Sequence, residues 1–336
     1  MPPLVGGRIL VAKAETVFGT DVLAGSYIAG DVLPVDPATI RLSPELVEYI
    51  NRATMGYLGT VGSSVGSLTG TISWTQGIRG RGAAYDDSPV VVPEIDLGLR
   101  ACGLGRTIVT TGGSESVAYQ PVAEGSHESL TLYVVQPMPS GNALVFKFVG
   151  CRGTARMIGD VGQGPDTIEF SLQGAFTGNI DIAFTNGTLA ETPKFPFLAS
   201  ALLQVGAANY APAWSRYALD LGNTLVREPN GNAASGYNGF AITQRQPTFT
   251  FDPTMAREAD SGWYAALLAG TLVDLTFQQG ATQYNRKKVK INAASAAGGQ
   301  IVGMGLGDRD GIAAFDLPIR LNISGTGNND WQILFD

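Results

Sequence analysis

Thr167-Ile168-Glu169-Phe170-Ser171-Leu172 alternates polar and apolar residues without a break. That two-residue period places Ile168, Phe170 and Leu172 on the core face of a strand and Thr167, Glu169 and Ser171 on the opposite face. The same period recurs in Thr71-Ile72-Ser73-Trp74-Thr75, in Thr248-Phe249-Thr250-Phe251-Asp252 and in Asp316-Leu317-Pro318-Ile319-Arg320-Leu321-Asn322-Ile323. Each reads as a half-buried strand. Pro318 has no N–H to give a ladder, so its strand lies at an edge or turns that position away from a neighbour. Composition points the same way. The 336 residues include 44 glycines and only 15% Asp, Glu, Lys and Arg, against about 25% charge in average soluble domains. Such a chain has few solvated helical faces and many turns, and a mainly β fold is expected.

Pro93-Glu94-Ile95-Asp96-Leu97-Gly98-Leu99-Arg100-Ala101-Cys102-Gly103 departs from this pattern. Proline and acids at its start, arginine near its end and glycine after it are helix punctuation. A short helix is predicted, with Ile95, Leu99 and Cys102 facing a sheet. A weaker copy runs from Arg257 to Ala269 and stops at Gly270. The surrounding elements repeat in order. A Gly/Asn/Ser-rich excursion (52–70 or 227–239) precedes an alternating strand and the helix. Strands follow (130–136 and 143–149, or 273–278 and 287–292), then a glycine-rich turn (159–164 or 305–311) and the strand at 167 or 316. This is a repeat of architecture rather than of residues, and it implies a duplicated unit. Thr192-Pro193-Lys194-Phe195-Pro196 marks the linker. The expected organisation is an N-terminal arm at 1–35 that finds its partners outside its own domain, a first domain at 36–190 and a second at 191–336.

Formal charge is −7 and the isoelectric point about 4.8. No basic field would draw such a chain tightly to phosphate or to an anionic bilayer. Apolar runs such as that around Phe197–Ala208 are interrupted short of the roughly 20 residues a membrane helix needs, so no membrane partner is expected. Met1 to Arg8 carries charge and glycines where a secretion signal would need an apolar core. Cys102 and Cys151 are too few for a disulfide scaffold or a cysteine zinc site. They read as buried thiols.

His127 is the one histidine, set on a polar stretch between Gly125-Ser126 and Glu128-Ser129, and a surface-loop role is expected. Asp308-Arg309-Asp310-Gly311 opens like a calcium loop, but its twelfth position is Ile319, which leaves a hairpin turn. Glu94 and Asp96 fit a helix start better than a glycosidase pair, and Asp86-Asp87 reads as a solvated loop. Gly103-Leu104-Gly105 follows a helix instead of opening one. The triplets at Asn186 and Asn322 match a glycosylation signal only on a secretory route. No catalytic residue, cofactor or metal is expected, and the chain is not read as an enzyme.

Arg8-Ile9-Leu10-Val11-Ala12-Lys13-Ala14-Glu15-Thr16-Val17-Phe18-Gly19-Thr20-Asp21, Leu99-Arg100-Ala101-Cys102-Gly103 and Gly150-Cys151-Arg152-Gly153 form an ordered set with Leu219-Asp220-Leu221-Gly222-Asn223. Gly307-Asp308-Arg309-Asp310-Gly311-Ile312, Leu317-Pro318-Ile319-Arg320-Leu321 and Asn329-Asp330-Trp331-Gln332-Ile333-Leu334-Phe335 complete it. The set resembles two-domain major tail tube proteins of long-tailed, siphovirus-like bacteriophages. The resemblance implies two tandem tail-tube-type β-sandwich or partial-barrel domains, each flanked by one short α-helix. It also implies rings, pseudo-sixfold homotrimers, stacked into a tube in the virion tail and assembled in the host bacterial cytoplasm. Partners would be the chain itself, the terminator, tape measure and distal tail proteins, and double-stranded DNA passing without tight binding.

On that reading Thr167, Glu169, Ser171, Thr250, Asp252 and Asp316 are candidates to line the lumen. Lys288 and Lys290, alternating on one face, oppose a purely acidic lining. Arg8, Lys13, Phe18, Tyr57, Leu58, Arg227 and Tyr237 are candidates for contacts between subunits and rings. A tail terminator or distal tail protein, a glycan-binding adhesin and a depolymerase are the competing classes.

Overall fold

A computed structural model describes residues 7–49, 64–139, 141–187, 194–199, 201–205, 211–233, 236–280, 283–291, 298–322 and 331–336. The fold is mainly β, with three short α-helices among the described residues. The N-terminal half holds β1 (Ile9–Ala14), β2 (Val32–Leu33), β3 (Arg41–Tyr49), β4 (Ser64–Gly77), β5 (Asp86–Asp87) and β6 (Val90–Val91). Then come α1 (Asp96–Ala101), β7 (Leu104–Val109), β8 (Ser116–Pro121), β9 (Leu130–Pro137), β10 (Asn142–Asp160) and β11 (Thr167–Ala183). The C-terminal half holds β12 (Leu202–Val205), β13 (Trp214–Asp220), β14 (Asn223–Pro229), β15 (Tyr237–Arg245) and β16 (Thr248–Pro253). It continues with α2 (Glu258–Ser261), α3 (Trp263–Ala269), β17 (Leu272–Val273), β18 (Leu275–Gln279) and β19 (Lys287–Ile291). Last are β20 (Gly299–Ile301), β21 (Gly305–Arg309), β22 (Ile312–Leu321) and β23 (Trp331–Phe335).

A large antiparallel sheet runs β17-β20-β22-β16-β13-β10-β11-β4-β3, with β1 and β9 joined beside the first part of β10 and β21 beside β22. A second sheet runs β12-β18-β19-β23-β8-β7. The two bury one continuous core. Ile72, Trp74, Phe170, Leu172, Phe249, Phe251, Leu317 and Ile319 come from the large sheet, and Val117, Tyr119, Phe277, Val289, Ile333 and Phe335 from the second. The four alternating segments thus become β4, β11, β16 and β22, each with its apolar parity inward.

A repeat is visible in the large sheet, but not with the expected partners: 130–136 and 143–149 fall in β9 and β10 of the large sheet, whereas β18 and β19, expected to match them, lie in the second sheet. One half contributes β10-β11-β4-β3 and the other β21-β22-β16-β13, in the same spatial order. Ser171 pairs with Ser73 and Ser73 with Arg41, as Pro318 pairs with Thr250 and Thr250 with Ala218. The halves meet where β13 pairs with β10, Asp220 opposite Arg156 and Arg216 opposite Asp160. The second sheet does not repeat. The hairpins that follow α1 and α3 are inserted from opposite sides onto β23, with β8 and β19 innermost. Both sheets cross from one half to the other, so the halves share one interior. The linker expected around 192–196 falls partly outside the described residues.

Helix punctuation sets α1. Cys102 N–H bonds back to Gly98 O, and Gly103 follows with a left-handed φ of 78°. Gly98 is required for packing, because a Cβ there would lie 2.6 Å from the Phe170 ring. The second helix differs from expectation. It is broken into α2 and α3 at Gly262, whose φ of 64° is left-handed and therefore incompatible with continuing an α-helix.

The N-terminal segment also corrects its expectation. β1 pairs with β9 from Ile9 opposite Val135 to Ala14 opposite Leu130. Leu10 faces the main core while Val11 faces a second cluster with Leu23, Tyr133 and Val145. A strand buried on both faces loses its alternation, which is why Ile9-Leu10-Val11-Ala12 shows no period. Residues 9–33 therefore fold onto their own chain instead of forming an outward arm. Leu10→Ala is expected to lower unfolding free energy by about 2–5 kcal/mol. Urea titration checks this, and an unchanged midpoint would return the segment to the status of a dispensable arm.

Candidate functional site

The polar parity of the large sheet forms one open face. β11 contributes Thr167, Glu169 and Ser171, and β4 contributes Thr71, Ser73 and Thr75 in register with them. β10 adds Thr154, Arg156, Ile158 and Asp160; β13 adds Arg216, Ala218 and Asp220; β16 adds Thr248 and Thr250. Asp316, Pro318 and Arg320 on β22 and Arg41 and Ser43 on β3 complete it. Five of the six candidate lining residues, Thr167, Glu169, Ser171, Thr250 and Asp316, lie on this face. Pro318 sits in the register row of Thr250, and β22 still takes neighbours on both sides.

Asp252 is the exception. Its strand parity matches Thr250, yet only 6% of it is exposed. A bulge in β13 between Trp214 and Tyr217 folds backbone over it. Its carboxylate accepts Ser215 N–H at 2.8 Å, Arg216 N–H at 2.7 Å and the Ser215 hydroxyl. Arg309 lies 3.8 Å away. Asp252 holds the bulge and is withdrawn from the open face.

Charge on the face is balanced. Arg41, Arg156, Arg216 and Arg320 stand against Asp160, Glu169, Asp220 and Asp316, four of each sign. The signs also alternate across strands: Arg156 stands between Glu169 and Asp220, and Asp160 stands opposite Arg216. Along the β10–β13 joint the face is indented by a 710 Å³ groove, lined among others by Arg156, Asp160, Arg216, Asp220, Thr248 and Thr250. Lys288 does not reach this face. It lies in the second sheet with its Nζ on the Asp336 carboxylate, and Lys290 pairs within that same sheet, opposite Gln332.

Beneath the joint lies a buried polar trio from three elements. Lys287 Nζ on β19 donates to Asp166 Oδ2, just ahead of β11, and to the Tyr217 hydroxyl on β13 at 2.7 Å. The Tyr217 hydroxyl donates to Asp166 Oδ2 in turn. Burial pulls the Lys287 ammonium below its usual range, against the opposing pull of Asp166, and pushes the Tyr217 phenol up. The cation also lies over the Tyr217 and Phe277 rings, at 5.3 and 5.5 Å. Gly159 makes room, since a Cβ there would approach Asp166 Oδ1 to 2.6 Å. Alternation held the clue to Lys287, which shares parity with the core residue Val289. Asp166, at the end of a glycine-rich turn, gave no such signal.

The candidate contact residues scatter. Arg8 Nε reaches Gln136 Oε1 at 3.1 Å and Lys13 lies 4.0 Å from Asp31. Phe18 is covered by the Arg152 guanidinium at 4.4 Å. Arg227 on β14 bonds Glu45 on β3 and lies 5.9 Å from the Tyr237 ring centroid. Arg8, Phe18 and Arg227 thus have partners within their own chain. Tyr57 and Leu58 lie outside the described residues.

His127 is half-buried rather than on the surface, with Nε2 3.1 Å from Val122 O, and desolvation lowers its pKa. Cys102 and Cys151 are buried and unpaired, and burial raises both thiols. Among the described residues no three His, Cys, Asp or Glu side chains are grouped to hold a metal, and no helix is long and apolar enough to cross a membrane.

Sequence reasoning missed the two ends of the large sheet. β3 pairs on one side with β4, and among the described residues its other side has no strand. At the opposite end β21 pairs with β22, and its outer side is likewise empty. Leu46, Val47 and Tyr49 are exposed on β3 and Leu306 on β21. Apolar residues on an uncovered edge are the signal that periodicity alone does not carry.

The sequence matches no protein family model and no curated protein.

The polar trio gives a direct test of how firmly the halves are joined. Lys287→Met leaves Asp166 buried without its cation, and removing one partner of such a pair costs about 3–5 kcal/mol. Thermal denaturation followed by circular dichroism should show a correspondingly lowered midpoint. An unchanged midpoint would mean that the trio does not hold the joint.

Proposed function

We propose that this chain is a structural subunit of a bacteriophage-type tail tube: three copies close into a ring through the ends of their large sheets, and rings stack around a lumen lined by the open polar face. The observation that carries this reading is the pair of strand edges, at opposite ends of one sheet, that have no outer strand among the described residues. Such edges are templates for another chain, and head-to-tail pairing closes into rings or runs on as a filament. The repeat supports three copies, each presenting two matched four-strand units. Twenty-four strands at about 4.8 Å spacing give a circumference of roughly 115 Å and a diameter of roughly 37 Å, wide enough for a double helix to pass.

The balanced face supports the choice of cargo. A basic lining would neutralise phosphates and retain DNA with salt-dependent affinity, whereas four arginines set against four carboxylates leave no net attraction. Hydroxyl rows between them offer short, neutral hydrogen-bonding groups. DNA would slide along such a wall. Terminator, tape measure and distal tail proteins would meet the ends and interior of the tube.

Negative-stain electron microscopy of the concentrated protein is the test: rings with three-fold symmetry or tubes are expected, and a monodisperse monomer at every concentration overturns the proposal. A second experiment addresses the lining. Glu169→Lys, Asp220→Lys and Asp316→Lys combined should still assemble but retain duplex DNA, with affinity falling about 10³-fold or more between 50 and 200 mM salt once six or more phosphates are contacted. Assembled particles that bind DNA no better than wild type would put that face outside the lumen.

A further inference from the structure

Each edge of the joint between the two halves has a counterpart elsewhere in the same sheet. β10 takes β9 beside its first part and β13 beside its last. The matching pair β20 and β21 takes β17 beside its first part, and beside its last part stands the empty edge. The strand that matches β13 is β3, the other empty edge. Superposing the registers makes the correspondence residue by residue. Gly305 opposite Asp316 matches Arg156 opposite Glu169, and Arg41 opposite Ser73 matches Ala218 opposite Thr250.

We propose that β3 of one copy pairs antiparallel with β21 of the next in one fixed register, Ser43 opposite Gly305 and Arg41 opposite Gly307. This rests on the ring reading above and specifies its contact. It follows from Asp220 opposite Arg156 and Ala218 opposite Ile158 within the chain. The side chains between these pairs agree. Met157 faces Leu219 across the internal joint and is 1% exposed, whereas its counterpart Leu306 is 81% exposed. The counterpart of Leu219 is Leu42, partly buried at the edge of the core. Docking of the next copy therefore sets Leu306 against Leu42 and removes the exposed leucine from water.

One difference limits the joint. Leu221 N–H donates to Ala155 O at 3.0 Å beside the internal joint, but its counterpart is Pro44, which has no N–H. The ladder between copies ends at Ser43, and the rest of β3 is free to diverge. That portion carries Leu46, Val47 and Tyr49. Its counterpart, the β14–β15 hairpin, bends away from β13 and packs over β10 and β11.

Cross-linking tests the register. β3 and β21 are seven inter-strand steps apart in their own chain, about 34 Å, so a disulfide between them joins two copies. Cβ atoms at 305 and 307 meet nothing closer than 3.4 Å, and the native thiols are buried. Ser43→Cys with Gly305→Cys, and Arg41→Cys with Gly307→Cys, should give a ladder of covalent dimers and trimers on mild oxidation. Ser43→Cys with Gly307→Cys is two residues out of register, beyond disulfide reach, and should give at least ten-fold less. Leu306→Lys should leave a folded monomer by circular dichroism and abolish assembly. Particles that are rings by electron microscopy yet cross-link only out of register, or assemble unimpaired with Leu306→Lys, overturn the register and leave the ring reading intact. Wild-type protein with neither rings nor ladder overturns both.

Discussion

A β-sheet has two ends, and the hydrogen-bonding groups along each must be paired, covered or offered to another molecule. The structure meets this constraint in two ways within one large sheet. At its centre the edge of one half is paired with the edge of the other, β13 against β10, over a continuous register from Arg156 to Asp160. At its extremes the same two kinds of edge, β3 and β21, have no outer strand among the described residues. The shared core, the trio of Asp166, Tyr217 and Lys287, and the bulge held by Asp252 all lie at or next to the central joint and fix it.

The open face follows from the same geometry. Alternation sends aromatic and branched residues inward, so the polar residues of the other parity, Asp252 apart, are displayed together over strands from both halves. Their charges cancel because arginines and carboxylates alternate across neighbouring strands. A surface of this kind carries balanced charge, and a groove runs along its central joint.

Much of this was legible in the amino-acid sequence wherever one face of an element is wet. β4, β11, β16 and β22 announced themselves by period and α1 by its punctuation, but the order of elements matched β9 and β10 with β18 and β19, which lie in different sheets. β1 did not, because both its faces are buried and its residues are uniformly apolar. The burial of Asp252 was not legible either, since it depends on a bulge in a neighbouring strand. The break at Gly262 was not legible, since only the backbone shows the left-handed φ that divides α2 from α3. Most hidden was the order of the second sheet, where β23 inserts between β19 and β8 by pairings no local pattern encodes.

That insertion carries a consequence for the birth of the molecule. β23 follows every other described strand in the chain, yet it supplies the seam that ties β8, far upstream, to β19. Contacts spanning such lengths form slowly. Until this late arrival is in place, a nascent polypeptide lacks the rung that clasps its two halves together on the side away from the polar face.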